Sequence, residues 1–529
     1  MSDTQDPHAE HDHSGWKPKS NPWLIAVVVT LAAFMEVLDT TIVNVTLPHI
    51  SGTMSASYDE ATWTLTSYLV ANDIVLPISA YFSKILGRKR YFLICTGAFT
   101  IFSFMCGIAT NLGELIVFRL LQGFFGGGLQ PSQQSIILDT FPPEQRGRAF
   151  SISAVAIVVA PVLGPTLGGW ITGNFTWRWV FLINVPVGVL TTIAVIQFVE
   201  DQPWKKRQDA KKVGIDVIGI SLITRGLGCL QVFLDRGEDD DWFSSNFIVT
   251  FAVLSAIGLV GATFWLLYAK KPVVDLRVLK DRNFALGSAA IFGFASVLYG
   301  SAVLIPQLAQ QQLGYTTTLT GLVLSPGAIC IVFVPVVSKL MNVIQTRFLI
   351  AFGFFLMGCA LLYSHHFVPN VDYVTLTKMH SAQSIGIGFL FVPVTTLAYL
   401  SLPKSLNNDA SALFTMFRNV AGSIGISLAT AMIRERTQAN MAYMAEHLTP
   451  LNQPNDTVAR IARTLMDTGQ TMSQAMTAAT GQMYKTFVAQ ATILAYLDVF
   501  LFCALFSFMF IPLALFFSPV KASGQAGSH

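Results

Sequence analysis

The sequence predicts an all-α polytopic membrane protein with about fourteen transmembrane helices, and three observations support that class. Of 529 residues, 53% are hydrophobic and only 12% charged, whereas soluble proteins carry about 25% charged residues. Mean hydropathy is +0.55. Apolar runs long enough to cross about 30 Å of hydrocarbon recur along the whole chain. These runs also lack the alternation over about ten residues that marks the strands of a membrane barrel.

In chain order the runs begin near Pro22, Thr62, Tyr91, Leu112, Phe150, Trp179, Ile215, Phe247, Phe284, Leu319, Phe348, Val374, Ser411 and Ala491. Basic residues orient them, because loops rich in Lys and Arg stay on the cytoplasmic side. With a cytoplasmic N-terminus, the cytoplasmic segments hold 22 of the 33 Lys and Arg residues, and the short outer loops hold 3. Both termini are then cytoplasmic. Within apolar runs only Arg119, Arg225 and Arg418 remain.

Composition excludes several classes. The net charge of +3 is no sign of nucleic-acid binding, since the basic residues serve topology. Cys95, Cys106, Cys229, Cys330, Cys359 and Cys503 all fall in apolar runs without metal-ligand spacing, and read as small apolar fillers. The acidic N-terminal tail lacks the apolar stretch of a signal peptide. Its His8, His11 and His13 read as part of a solvated tail rather than a metal site. No metal or other cofactor is expected. No Walker loop occurs, so ATP hydrolysis is not the energy source, and no constellation points to an enzyme.

A faint repeat organises the chain. Pro48, expected to end the first helix, and Pro306, expected to end the ninth, are 258 residues apart, as are Pro77 and Pro335. Parallel six-helix repeats with a midplane site build one large transporter fold. The expected division is a tail over 1–21, a six-helix half over 22–202, two extra helices with a basic linker over 203–270, a second half over 271–518 and a tail over 519–529. That second half includes a long outer loop, 433–487. In it VARIARTLM (458–466) has an apolar face at helical spacing and predicts one or two short helices. The loop reads equally as an inert cap and as a docking surface for a periplasmic partner.

An ion gradient is the remaining energy source, and it needs a membrane carboxylate that gains and loses a proton. Ionisable residues inside membranes are costly and usually functional. Counting at about 1.5 Å per residue puts Asp39 roughly 13 Å deep, Arg119 roughly 10 Å, Asp73 roughly 16 Å and Glu36 roughly 18 Å. These four candidates for proton coupling are expected in one layer, although Asp39 and Arg119 also suit a permanent structural ion pair. Arg418 and Asp498 are the candidates from the second half. Phe414, Met416 and Phe417 read as packing. APVLGPTLGGW (160–170) places Pro161, Gly164, Pro165, Gly168 and Gly169 inside an apolar run. Such prolines survive in lipid only where neighbours satisfy the freed backbone groups, and the glycines allow close backbone contact.

Eight segments then line up with one family. LDTTIVNVTLP (38–48), SAYFSKILGRKR (79–90), FRLLQG (118–123), APVLGPTLGG (160–169), WRWVFLINVPVG (177–188), LDRGEDDDWFSS (234–245), VDLRVLKDRNF (274–284) and FRNVAGSIG (417–425) span almost the whole chain. Together they resemble the EmrB-type fourteen-helix drug–proton antiporters of the major facilitator superfamily. The resemblance implies that fold in a 6 + 2 + 6 arrangement, and 160–169 as the antiporter motif. It also implies the superfamily's cytoplasmic loop motif at Lys84, Gly87, Arg88, Lys89 and Arg90. Here the chain departs from the usual pattern: Ala80 replaces the opening Gly and Lys84 replaces an Asp, so gating through that Asp does not carry over. The implied function is proton-driven multidrug efflux from a bacterial inner membrane, with amphipathic small molecules as substrates. The implied partners are a periplasmic EmrA-type membrane-fusion adaptor and a TolC-type outer-membrane channel. Narrower export of a fatty acid, bile salt or siderophore is the alternative, and import by proton symport a weaker one.

Overall fold

The computed structural model describes residues 19–200, 216–366, 371–403, 406–446 and 454–518. Fourteen helical segments run through them. The first eight are α1 (Pro22–Asn44), α2 (Tyr58–Leu86), α3 (Arg88–Ile108), α4 (Leu112–Gly126, continued by Leu129–Thr140), α5 (Pro143–Asn174), α6 (Trp179–Leu182 and Asn184–Phe198), α7 (Val217–Arg236) and α8 (Asn246–Tyr268). The others are α9 (Arg282–Gln307), α10 (Thr317–Leu324, Ser325–Ile329 and Cys330–Leu340), α11 (Thr346–Leu362), α12 (Tyr373–Ala398), α13 (Asn407–Glu446) and α14 (Met472–Leu515).

Local chemistry sets the starts. Asn21 accepts from the Trp23 amide at 2.9 Å, with Pro22 in the first turn, where a missing donor costs nothing. Ser57 and Glu60 form a reciprocal capping box on α2. Gly87, at φ +84°, turns α2 directly into α3, a backbone region that side chains rarely adopt.

Eleven of these segments are long and apolar enough to cross a membrane, and α5 makes a twelfth if its bent halves form one span. The other two differ for local reasons. Ser325, Pro326 and Gly327 interrupt α10 with a 3-10 turn, and α11 is only 17 residues long. The protein is thus an all-helical polytopic membrane protein.

Packing repeats along the chain. α1 packs on α5, α2 on α4 and α3 on α6; then α9 packs on α13, α10 on α12 and α11 on α14. The two six-helix sets meet along two seams, α2 with α13 and α5 with α10 and α12. The pair α7–α8 is close-packed through glycines: a Cβ on Gly226 would lie 2.8 Å from the Leu259 amide nitrogen. This pair leans on α2 and α13 through α7.

Three expectations need correction. Pro48 does not end α1, which stops at Asn44; it opens a separate short helix, Leu47–Thr53. Pro306 lies inside α9, which runs on into a π-turn over Leu308–Gln312, a common way to absorb a mismatch in the helix ladder. The segment 433–487 is mainly continuation of the two flanking spans: α13 extends to Glu446 and α14 begins at Met472, with one separate helix, Pro454–Asp467. That helix lays Val458, Ile461 and Leu465 on Ala475 and Ala479 of α14, the apolar face read in VARIARTLM. Residues 1–18 with the three histidines, the linker 204–212 and the tail 519–529 lie outside the described residues.

Candidate transport site

Two polar clusters lie inside the helical bundle. The first is built on α1, α4 and α6. Arg119 Nη1 donates to Asp39 Oδ2 at 2.5 Å, and both side chains are fully buried. Gln122, one turn after Arg119, donates to Asp39 Oδ1 at 3.1 Å, and Asn184 Nδ2 does so at 2.8 Å. Arg119 Nε donates to the Thr64 carbonyl at 3.1 Å, and the guanidinium lies 4.0 Å over the Tyr68 ring. Three donors therefore saturate Asp39. The close approach of α2 to α4 behind Arg119 depends on Gly123 and Gly127, where a Cβ would strike the Tyr68 and Asn72 carbonyls.

The second cluster spans the α2–α13 seam. Glu36 accepts from Asn72 Nδ2 at 3.0 Å and from Gln130 Nε2. Asp73, one residue on, is buried on α2 near Asn419 of α13. Arg418 is fully buried and its field reaches Glu36. Its Nη2 donates to Asn419 at 3.2 Å, while Nε and Nη1 have no hydrogen-bond partner. Among the described residues no carboxylate pairs with Arg418.

Of the four N-half candidates, Asp39 and Arg119 fall in the first cluster and Glu36 and Asp73 in the second. Asp498 belongs to neither cluster: it is half-buried on α14 without a hydrogen bond or ion pair among the described residues. Phe414 is buried in the core, with Met416 and Phe417 packed against it.

The antiporter motif shapes the α1–α5 contact. A Cβ on Gly164 would collide with the Thr41 side chain, and one on Gly168 would lie 2.9 Å from the Ile42 carbonyl oxygen. Pro161 and Pro165 both sit within α5, and the helix bends by 45° between Pro161 and Leu163. Thr41 Oγ1 donates across to the Ala160 carbonyl at 3.4 Å. Pro161 also borders a small cavity that the sequence does not announce, where α12 presents His380, Gln383 and Ser384. Both ring nitrogens of His380 and Oε1 of Gln383 lack hydrogen-bond partners among the described residues. A lone His in an apolar run carries no sequence signal beyond its type.

At the end of the bundle holding the loop motif, the two six-helix sets are tied together. Lys84 Nζ donates to Asp409 at 2.7 Å, and Arg88 pairs with Asp139. Asp139 also accepts from Asn407 at 3.1 Å, Ser135 donates to Asn408 at 2.5 Å, and Tyr399 donates to Gln134 at 3.0 Å. Lys89 donates to the Ile196 carbonyl at 2.8 Å, whereas Arg90 is exposed. Lys84, at the position where an Asp was expected, thus meets a carboxylate supplied by α13. The one hint in the sequence is the triplet Asn407–Asn408–Asp409, polar at the start of an apolar run.

Intramembrane charges, two repeated six-helix sets and a seam between them define a membrane transporter. A profile of the Major Facilitator Superfamily matches residues 29–426, and the chain belongs to that superfamily, in its EmrB-type branch. It is 38% identical to the multidrug export protein EmrB of Haemophilus influenzae over 81% of this chain and 84% of that one. It is 34% identical to EmrB of Escherichia coli K12 over 95% and 97%. The fatty acid resistance protein FarB of Neisseria gonorrhoeae is 33% identical over 98% and 100%. In fold the chain is similar to the human organic anion transporter MFSD10, with a TM-score of 0.54, 12% identity and coverage of 92% and 99%.

Proposed function

We propose that this chain is a proton-driven multidrug efflux transporter of a bacterial inner membrane, with both termini cytoplasmic. It exchanges amphipathic compounds for protons and hands them to a periplasmic adaptor and a TolC-type channel. The relatives named for multidrug export support the export reading. The observation that carries the coupling is the seam cluster, where Glu36, Asp73 and Arg418 are at most 4% exposed and come from both six-helix sets.

The chemistry follows from which charges have partners. Protonating Asp39 strands the buried Arg119. Protonating Glu36 or Asp73 breaks no ion pair, because Glu36 accepts from the neutral amides of Asn72 and Gln130, and Arg418, whose field reaches Glu36, pairs directly with neither carboxylate among the described residues. We therefore assign proton exchange to Glu36 and Asp73, and to Asp39–Arg119 the role of holding α1, α4 and α6 in register. Arg418, with donors to spare, faces the same seam and attracts either carboxylate or an electron-rich substrate group. Rocking of one six-helix set against the other opens the seam alternately to each side. The Lys84–Asp409 pair closes the cytoplasmic end.

The test is transport by purified protein in vesicles with an imposed pH gradient. Glu36→Gln and Asp73→Asn should each lower gradient-driven transport at least tenfold while the protein remains folded. Retention of coupled transport by both variants overturns the assignment. A second reading, export restricted to fatty acids, is favoured by FarB, whose similarity extends over nearly the whole chain. Competition between a long-chain fatty acid and a cationic dye separates the two: only the multidrug reading expects both to be carried.

A further inference from the structure

A groove of about 690 Å³ runs along the other seam, between α1, α5 and α10. Its walls are apolar, formed by Val27, Leu31 and Phe34 of α1, Ile152 of α5, and Val334 and Pro335 of α10. Val27 and Leu31 are 50% and 39% exposed, so the groove opens sideways to the bilayer. At one end stand Trp23, Arg148 and Lys339. The helices bearing the two cations meet closely there, a Cβ on Gly147 lying 3.7 Å from Ser338 Oγ.

Neither cation has an anionic partner among the described residues, and both are exposed. Lys339 suits the last turn of its helix, where a cation complements the dipole. Arg148 lies in the second turn of α5, where a cation gains nothing from it. From Trp23 to Phe34 the groove spans eleven residues of α1, about 16 Å, which is close to half the 30 Å of hydrocarbon in a bilayer. A Trp and two cations at one end, and a leaflet's depth of apolar wall below, match a lipid with an anionic head and a chain hanging into the leaflet.

We propose that this groove is a binding site for one anionic phospholipid, its phosphate held by Arg148 and Lys339 and one acyl chain lying between the two six-helix sets. Assigning it to the cytoplasmic leaflet rests on the orientation proposed above; binding itself does not. Because α5 and α10 form the seam, a chain wedged there holds them apart, and the lipid must shift when the seam closes.

Trp23 reports occupancy directly. The full-length protein is reconstituted with brominated phosphatidylglycerol or brominated phosphatidylcholine, and the Trp23 emission is taken as the difference between the wild type and Trp23→Phe. Half-maximal quenching should need at least fivefold less of the anionic lipid, the preference that about 1 kcal/mol from one cation alone would give. Arg148→Gln with Lys339→Gln should abolish that preference. Equal quenching by both lipids, or an unchanged preference in the double variant, overturns the proposal. So does stronger quenching by a brominated fatty acid than by the anionic phospholipid, which makes the groove a site for single-chain amphiphiles. If Trp23→Phe does not assemble, native mass spectrometry of co-purified lipid replaces it: anionic phospholipid should be retained by the wild type and lost from the double variant, and equal retention overturns the proposal. None of these readouts involves transport, so failure here is distinct from failure of the efflux reading.

Discussion

Two buried carboxylates three residues apart on α1 have opposite prospects. Asp39 is the acceptor of three hydrogen bonds and the partner of Arg119. Removing one member of a buried ion pair leaves an uncompensated charge, which costs about 3–5 kcal/mol. Asp39→Asn should therefore lower the thermal midpoint in detergent markedly. Pairing it with Arg119→Gln should recover part of the loss, since no cation is then stranded. Glu36 accepts only from amides, and Glu36→Gln should leave the midpoint within a few degrees while coupled transport disappears. A reversed pattern, with Asp39→Asn stable but uncoupled, moves proton exchange to Asp39.

Elements meet at glycines and at ends. Gly164→Val places two methyl groups where Thr41 and the α1 backbone already stand. Overpacking of this kind costs about 1–3 kcal/mol, so the variant should unfold earlier and leak protons or lose exchange. Gly173, on the same helix with open space around its Cβ position, should accept Ala without effect, which controls for helix propensity. At the opposite seam end, Lys84→Asp and Asp409→Lys each place like charges together between the two six-helix sets. Each should weaken closure of that end, seen as greater labelling of a cysteine placed at Asn408. The double exchange restores the opposite-charge pair and should restore protection. Labelling as high in the double exchange as in the single variants removes Lys84–Asp409 as a closing contact.

For the whole molecule the two longest helices matter most. α13 and α14, of 40 and 44 residues, are about 60 and 66 Å long, twice the hydrocarbon thickness. They carry the helix Pro454–Asp467 on α14, while Tyr443, Met472, Met476 and Tyr484 are exposed. Exposed apolar surface on such an extension suits a partner. If the extension docks the adaptor proposed above, replacing 447–471 by a short linker should leave gradient-driven transport in vesicles near the wild-type level and abolish resistance in whole cells. Equal loss in both assays makes the extension a structural part of the pump instead.

Much of this protein is legible in the chain because lipid leaves a backbone few choices. Unpaired amides are prohibitive in hydrocarbon, so apolar length announces helices: each of the fourteen runs falls on a helical segment, and eleven or twelve of these are long and apolar enough to cross. The eight motifs in order, from LDTTIVNVTLP to FRNVAGSIG, point to the superfamily without any knowledge of helix packing. Charged residues in apolar runs single out Glu36, Asp39, Asp73, Arg119 and Arg418 as site candidates, for the same reason of cost. What sequence could not supply is partnership, which depends on which faces of distant helices meet. The Asp39–Arg119 pair is one of two readings the sequence offers, and only packing decides that it forms while Glu36, three residues away, meets Asn72 and Gln130. Lys84 and Asp409 are 325 residues apart, and no local pattern links them. The groove of Trp23, Arg148 and Lys339 exists only because three helices, each ordinary alone, come together at one seam.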